Sequence, residues 1–332
     1  MNYADAYICP ENCVIIGRKG NINNPIFVPT KFWNVDTAFG LCPGELLHPR
    51  FLFYFCKIYD FERHNKATTI PSLVKNDLLK INMPVPPIDI QERIVSELDK
   101  LNELIEAKRS QLKDLDALAQ SLFYETFGDP IENPKGWKTD KLGIVNEISS
   151  AKRVLVQDVV EKGIPFIRGT ELAALAKQNS FDLNLFTMFI TPQHYEKVKA
   201  LTGVPDLGDL LIPSINPDGY VWEVNTRAPL YFKDGRVLWV HVNHNAYSSK
   251  WLKYALSKVI IEKYTTLSRG AVFAELTLIF LRNLNLILPP IALQNQFASK
   301  IEAIEAQKKR IEASIADLET ILASRMDYWF ND

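Results

Sequence analysis

The sequence of 332 residues lacks the features that secretion, membrane insertion and metal binding usually require. No apolar run is long enough to span a membrane, because Glu275 and Arg282 interrupt the most apolar stretch, 272–291. Asp5 and Glu11 stand where a signal peptide would be apolar. The four cysteines lack the spacing of a zinc knuckle, so we expect reduced cysteines in a core. These absences predict a cytoplasmic protein with no membrane contact and no bound metal ion.

Motifs for catalysis are lacking as well. No glycine-rich cofactor loop follows a strand, no Asn-Pro-Pro-aromatic methyltransferase motif occurs, and no two histidines form an i, i+4 pair on a helix. Pro205 and Asp206 resemble the start of a nuclease metal motif, but no acidic-x-Lys element follows at a suitable distance. The run Asn-Pro-Asp-Gly at 216–219 has the composition of a turn. We therefore predict no catalytic residue, no cofactor and no enzymatic activity in this chain.

What the sequence does contain is one long segment that occurs twice. The motif Pro-Pro-x-x-x-Gln stands at 86–91 and again at 289–294, each time after a short apolar run. A charged segment without internal glycine or proline follows each copy. Proline suits the first turn of a helix and cannot continue one, so this pattern predicts two long helices with a defined start.

Both helices carry apolar residues at alternating spacings of four and three, and their registers coincide after a shift of 203 residues. A seven-residue period over four heptads is typical of a coiled coil, and two such helices in one chain most simply pair with each other. Two unrelated amphipathic surface helices are the alternative. Lys108, Lys308 and Arg325 interrupt the ladders. The predicted core of an antiparallel helix pair consists of Leu101, Ile105, Leu112, Leu115, Ile304, Ile311, Ile315 and Leu318.

The helices divide the rest of the chain into two globular segments of unequal length. Both show the order strand, glycine-bearing loop, helix, small-residue loop and strand, over 13–87 and over 210–290. The first segment has no counterpart of 137–203. Its β-type runs are 13–17, 25–28 and 32–35, with an aromatic helix at 49–61 and a short helix from Ser72. The second segment has predicted strands at 164–167, 210–212 and 284–288, and a helix at 250–262.

These segments predict an α+β fold with two β-rich globular domains and two long antiparallel coiled-coil helices. Because the first domain lacks a counterpart of 137–203, we expect it to expose unpaired strand edges. We also expect it to be less ordered than 137–290, or to be completed by a second polypeptide. The predicted boundaries are a partial first domain at 1–87, a first spacer helix at 88–127, a second domain at 128–290 and a second spacer helix at 291–330.

This arrangement resembles the DNA-specificity (S) subunit of type I restriction-modification systems, in which two target-recognition domains alternate with two long antiparallel helices. The resemblance rests on Met-Pro-Val-Pro-Pro-Ile-Asp-Ile-Gln-Glu-Arg-Ile at 83–94 and its repeat, Leu-Pro-Pro-Ile-Ala-Leu-Gln at 288–294. The runs Ile-Gly-Arg-Lys-Gly at 16–20 and Phe-Trp-Asn-Val-Asp-Thr at 32–37 are similar to runs inside the family's recognition domains. One departure is that a family member would begin with a full recognition domain.

The resemblance implies a non-catalytic subunit that binds double-stranded DNA at a bipartite site. It further implies that the chain positions methyltransferase (modification) subunits, which would bind S-adenosylmethionine, and through them a restriction subunit. A helix of about 38 residues is roughly 57 Å long, so two domains on such helices would read half-sites separated by unread base pairs. Globular segments with a slight excess of basic residues, beside acidic helices, agree with that role. The alternative is a coiled-coil scaffold that joins partner proteins without touching DNA.

Candidate DNA contacts are the cations, amides and hydroxyls on loops that follow strand-like runs. Cations suit phosphate groups, and amides suit adenine edges. For the first domain, a solvated hairpin loop is the alternative. Trp33, Trp222 and Trp239 are predicted to be core residues and not stacking platforms. The candidates are Arg18, Lys19, Asn21, Asn23 and Asn24 in the first domain, and Arg168, Thr170, Ser214, Asn216, Tyr220, Ser268 and Arg269 in the second.

Overall fold

The computed structural model describes residues 6–268 and 275–331 as a mixture of helices and small β-sheets. The chain divides into two compact units, which we call unit 1 (Met1–Asp114 with Lys308–Asp332) and unit 2 (Leu115–Gln307). Two helices of 40 residues each are present, so the predicted α+β class with two long helices is confirmed.

Unit 1 contains a three-stranded antiparallel sheet in the order β2-β1-β3. Strand β1 lies in the middle because it pairs with both other strands, and its Val14 and Ile16 are fully buried. The predicted first strand and the predicted aromatic helix are confirmed. The elements are β1 (Cys13–Gly17), β2 (Ile26–Val28), β3 (Ala38–Leu41), α1 (Pro49–Ile58), a 3-10 helix (Phe61–His64) and α2 (Lys75–Leu78).

The predicted strand at 32–35 is wrong. Phe32 forms only an isolated bridge with Cys9, and the third strand begins at Ala38. The Asn34 side chain donates a hydrogen bond to the Ala38 carbonyl over 2.9 Å, which folds the chain into a turn before β3. Trp33 is 53% exposed on this turn, so its predicted burial is wrong too.

Unit 2 contains two four-stranded sheets, in the orders β10-β9-β12-β5 and β11-β7-β8-β6, and a two-stranded sheet of β13 and β4. The predicted strands at 164–167, 210–212 and 284–288 and the predicted helix at 250–262 are confirmed, each within a few residues. The strands are β4 (Thr139–Lys141), β5 (Glu147–Ser150), β6 (Val159–Val160), β7 (Ile164–Ile167), β8 (Phe189–Ile190), β9 (Leu210–Pro213), β10 (Trp222–Glu223), β11 (Tyr231–Phe232), β12 (Val237–His241) and β13 (Asn285–Ile287). The helices are α4 (Leu142–Val145), α5 (Gly169–Gln178), α6 (Pro192–Thr202), α7 (Ser249–Ser268) and α8 (Leu278–Arg282).

Strand β9 is buried on both of its faces, which explains its continuous apolar sequence. Leu210 and Ile212 pack in one cluster with Trp251 of α7. Leu211 packs in a second cluster with Leu172 of α5. A helix therefore packs against each face of strand β9.

The two long helices are α3 (Ile88–Phe127) and α9 (Ile291–Phe330). In unit 1 they run antiparallel, because Glu97 binds Arg325 and Arg109 binds Glu319. The charge of Arg325, which interrupts the apolar ladder, is therefore paired with the Glu97 carboxylate. In unit 2 the same two helices meet through Phe123 and Phe297, whose ring centres lie 5.6 Å apart.

The apolar ladder follows the less exposed side of each helix. Leu104, Leu118 and Ile321 lie outside the ladder and are all exposed. Of the residues predicted to form the helix-pair core, Ile105, Ile304 and Ile311 are buried. The others are partly buried, namely Leu101, Leu112, Leu115, Ile315 and Leu318.

The glutamine of the repeated motif makes the same contacts in each unit. In unit 1, Gln91 is fully buried, and its side-chain oxygen accepts a hydrogen bond from the backbone N–H of His48, which precedes α1 (2.8 Å). Its amide nitrogen donates to the carbonyls of Leu46 (3.0 Å) and Pro86 (2.7 Å). We call this arrangement the glutamine bridge, because it ties the start of the long helix to the start of the shorter one.

In unit 2, Gln294 forms the equivalent bridge. It accepts from the N–H of Ser248, which precedes α7 (3.0 Å), and donates to the carbonyls of Ala246 (2.9 Å) and Pro289 (2.8 Å). Gln294 is likewise fully buried. A buried amide must satisfy its polar groups, and here the backbone does so in both copies. The internal repeat thus extends from the sequence motif to individual hydrogen bonds.

Candidate nucleic-acid interface

The loop after β1 in unit 1 is fixed by its backbone while its basic side chains are exposed. The Arg18 N–H donates to the Thr37 carbonyl (2.8 Å), and the Arg18 carbonyl accepts from the Leu73 N–H (2.9 Å). A side chain at Gly17 would lie 2.2 Å from a carbonyl oxygen of the same loop, so this tight turn requires glycine. Arg18 and Lys19 are both exposed on the loop. The loop thus offers two cations on a rigid backbone.

The amides predicted in this loop have different environments. Asn23 holds the loop to the 3-10 helix, because its side chain accepts from the Phe61 N–H (2.8 Å) and donates to Asp60 (3.1 Å). Asn21 and Asn24 are exposed. Asn23 is exposed as well, but its two hydrogen bonds give it a structural role in the loop.

In unit 2, three loops meet at the turn 233–236 between β11 and β12, which we call the hub turn. Its first residue donates its N–H to the carbonyl of Ile167 at the end of β7 (2.9 Å). Gly235 donates its N–H to the hydroxyl of Ser150 at the end of β5 (3.0 Å). Ser214, directly after β9, donates its N–H to the carbonyl of the last turn residue (3.0 Å). The ends of β5, β7 and β9 are therefore joined at one end of the sheets.

Basic residues from several of these segments surround the hub turn. Lys152 and Arg153 follow β5 and are exposed, as are Lys233 and Arg236 in the turn itself. Arg168, directly after β7, keeps 39% of its side chain exposed. Cations gathered at the open end of a sheet suit the phosphates of a nucleic acid.

Of these five cations, only Arg168 is among the residues predicted from the sequence. A signal for the hub turn was present, because Asp-Gly at 234–235 is a turn dipeptide between two apolar strand-like runs. Gly235 has a φ of 66°, which favours glycine at that position. Lysine and arginine flank this dipeptide, at 233 and 236. No sequence pattern near the turn predicts that three distant loops contact it.

Arg168 and Thr170 both bind Glu171, which is not among the residues predicted from the sequence. The Arg168 Nε donates to the Glu171 carboxylate (3.1 Å), and the Thr170 hydroxyl donates to the same carboxylate (3.0 Å). Burial by itself raises the pKa of Glu171, but the hydrogen bonds from Arg168, the Glu171 backbone and Thr170 outweigh it and lower the pKa. Arg168 thus helps to fix the start of α5, and its remaining exposed surface is what a ligand could reach.

Ser214 and Asn216 are each only 1% exposed, so they do not face solvent. The Asn216 side chain donates to the Tyr220 carbonyl (2.8 Å) and accepts from the Tyr220 N–H (2.7 Å), which closes the loop 216–220. Tyr220 is half-buried, with the Lys177 ammonium 5.9 Å from its ring centre. In this structure Ser214 and Asn216 shape the loop, and Tyr220 remains accessible.

The last two candidates lie at the edge of the described chain. Ser268 is the final residue of α7, and Arg269 lies outside the described residues. Trp222 and Trp239 are buried, as predicted. In the parts of the chain that the structure describes, no group of three His, Cys, Asp or Glu residues is arranged to hold a metal ion. Over the same parts, no helix combines the length and the apolar composition needed to cross a membrane.

Comparison with known proteins agrees with this architecture. The family model described as the type I restriction modification DNA specificity domain matches residues 1–115. A Haemophilus influenzae protein with a provisional name as a type I restriction enzyme specificity subunit is 23% identical over 314 residues, covering 92% of this chain and 78% of the relative. The MjaIX specificity subunit of Methanocaldococcus jannaschii is 25% identical over 174 residues, covering 46% of this chain and 39% of the relative.

Two solved structures share the fold. The S subunit of a type I restriction-modification system from M. genitalium superposes with a TM-score of 0.58 at 15% identity, covering 100% of this chain and 86% of that one. A chain from a type I R-M system structure described for its assembly and conformational transition gives 0.62 at 19% identity, covering 98% and 84%. The resemblance to S subunits predicted from the sequence is thereby confirmed. The family-model match and the relatives named as specificity subunits agree with this resemblance.

Proposed function

We propose that this chain is the DNA-recognition subunit of a type I restriction-modification complex, and that it positions methyltransferase and restriction subunits on a bipartite DNA site. The observation that carries the proposal is the convergence of three loops and five basic residues on the hub turn of unit 2. Methyl transfer and cleavage are assigned to the partner subunits, in line with the relatives named as specificity subunits.

The physical basis is a surface that combines phosphate-binding cations with a rigid support. Phosphate contacts fix the register of a protein on the duplex, and groups on the loops between them read base edges. At the hub turn, Lys152, Arg153 and Lys233 are exposed. The Lys233 N–H donates to the Ile167 carbonyl and the Lys152 N–H donates to the Tyr231 hydroxyl, and these bonds hold the segments that carry the cations. A reading surface of this kind needs no catalytic group of its own.

The bipartite site follows from the duplication. Each unit ends its central strand in a loop whose first residue, Arg18 or Ser214, is held by the same two backbone hydrogen bonds. Each unit also has its own glutamine bridge to a long helix. Two readers built on one plan would each contact one half-site, and a methyltransferase positioned by both would act between them.

The proposal is tested by measuring the affinity of the chain for duplex DNA as a function of salt concentration. The logarithm of the affinity should fall with the logarithm of salt at a slope of about −0.9 per phosphate contact. Arg153→Ala should make that slope less steep by the amount that corresponds to about one phosphate contact. Lys162→Ala is the matched control, because this exposed lysine lies before β7 and so at the opposite end of that strand. No binding to DNA, together with salt-insensitive binding to a protein partner, would favour a scaffold without DNA contact.

A further inference from the structure

An exposed ion pair of Arg236 and Glu275 lies at the hub turn of unit 2. The Arg236 Nη1 is 2.5 Å from the Glu275 Oε1, and the two side chains are 52% and 43% exposed. The hydroxyl of buried Ser214 donates to the same Glu275 oxygen over 2.9 Å. The carboxylate is therefore held in one orientation by two donors while part of it remains accessible to a ligand.

The fold does not require an acid and a base at these positions. In unit 2 the Ser214 N–H donates to the Arg236 carbonyl. The Ser214 carbonyl accepts from the N–H of Leu276, the residue after Glu275. The equivalent hydrogen bonds in unit 1 join Arg18 to Thr37 and to Leu73. The residue before Leu73 is Ser72, and the residue equivalent to Arg236 is Thr37, so unit 1 has neither member of the pair.

The location of Glu275 is unfavourable for phosphate binding. A carboxylate among the cations of the hub turn repels phosphate and neutralises part of the charge that would attract DNA. An ion pair this exposed contributes little to stability, so stability alone does not explain it. A carboxylate on a DNA-binding surface is useful, however, when it accepts a hydrogen bond from the amino group of a base.

We propose that Arg236 and Glu275 together read one G·C base pair in the half-site contacted by unit 2, with Ser214 as a positioning residue for the carboxylate. In the major groove, guanine presents two acceptors, O6 and N7, which match an arginine. The cytosine of the same pair presents one donor, its N4 amino group, which matches a carboxylate. Adjacent donor and acceptor side chains thus fit the two halves of a single base pair. This inference rests on the proposed function and extends it to a specified base pair.

The test is a selection of duplexes from a pool in which the half-sites are randomised, using the full chain. The unchanged protein should select a G·C pair at one position, with a preference of about 5- to 150-fold over other pairs. Glu275→Gln should reduce that preference at this position alone, and Arg236→Ala should abolish it. Ser214→Ala should weaken it partially, because the carboxylate loses one of its two fixed donors.

The matched control is Glu161→Gln, which makes the same chemical change on an exposed residue before β7, at the end of that strand away from the hub turn. It should leave the selected sequence unchanged. In Glu275→Gln the side-chain oxygen can still accept hydrogen bonds from Ser214 and Arg236. If the ion pair had only a structural role, the variant would therefore select the same sequence as the unchanged protein.

An unchanged selection by Glu275→Gln, with DNA binding retained, would overturn the inference and leave the proposed function intact. A shift of preference to an A·T pair in the unchanged protein would also overturn it. A loss of preference at every position would show a general structural role and would equally contradict the base-pair assignment. Absence of DNA binding by the unchanged protein would instead contradict the proposed function itself.

Discussion

Replacing Gln91 by leucine removes the glutamine bridge of unit 1 while keeping the residue close in size. The side chain accepts one hydrogen bond, from the His48 N–H, and donates two, to the carbonyls of Leu46 and Pro86. Each such bond contributes about 1 kcal/mol net, and leaving its buried partner unsatisfied can cost more. The three bonds together therefore predict a loss of about 3 kcal/mol in the free energy of unfolding of unit 1.

The loss should be measured by native-state hydrogen exchange of the amides in α1, because this helix starts directly after His48. Gln111→Leu is the matched control, since Gln111 is exposed on the same long helix. A surface change of that kind should alter stability by less than about 0.5 kcal/mol. Gln294→Leu should have the corresponding effect on α7 in unit 2. Equal effects of Gln91→Leu and Gln111→Leu would refute the structural role of the bridge.

Two further predictions concern stability. Ile105→Ala should destabilise unit 1 by about 2 to 5 kcal/mol, because Ile105 is 3% exposed in the helix pair. Urea unfolding should show a much smaller effect of Leu104→Ala, a neighbouring exposed residue, and similar effects of both would contradict the observed packing. Glu171 has a lowered pKa in the folded chain, so its stabilising contribution is complete above the unfolded carboxyl pKa of about 4.3 and is lost as the pH falls through the lower folded value. Unfolding curves recorded at several pH values should show a smaller acid-side loss in Glu171→Gln than in the unchanged chain, and identical pH dependence would contradict the assignment.

Local patterns in the sequence predicted the elements that depend on local chemistry. The strand at 13–17 was predictable because a short β-branched run ends at a glycine. The structure gives the reason for that glycine, since a side chain at position 17 would collide with its own loop. The strand predicted at 32–35 failed because aromatic and β-branched residues favour a strand only when a neighbour pairs with them. There, Asn34 makes a local side-chain hydrogen bond that favours a turn.

The candidate interface was predictable only in part, because a polar residue in a loop can serve either a ligand or the loop itself. Asn216 and Asn23 carry the amide side chain expected of a base contact, yet both form hydrogen bonds with groups of their own chain. The hub turn brings together residues more than 80 positions apart, such as Ser150 and Gly235. No local pattern reports such a contact, and the acid and base at Glu275 and Arg236 become a pair only in the folded chain.

The most direct test of the proposed function is methylome sequencing of a host that carries this chain together with a type I methyltransferase subunit. We expect one methylated motif, with two specified parts separated by unspecified base pairs, and no such methylation without the chain. Glu275→Gln should change the motif in one part only, because we propose that unit 2 contacts one half-site. A motif that persists without this chain, or no new methylation in the presence of an active partner, would contradict the proposal that this chain selects the DNA target.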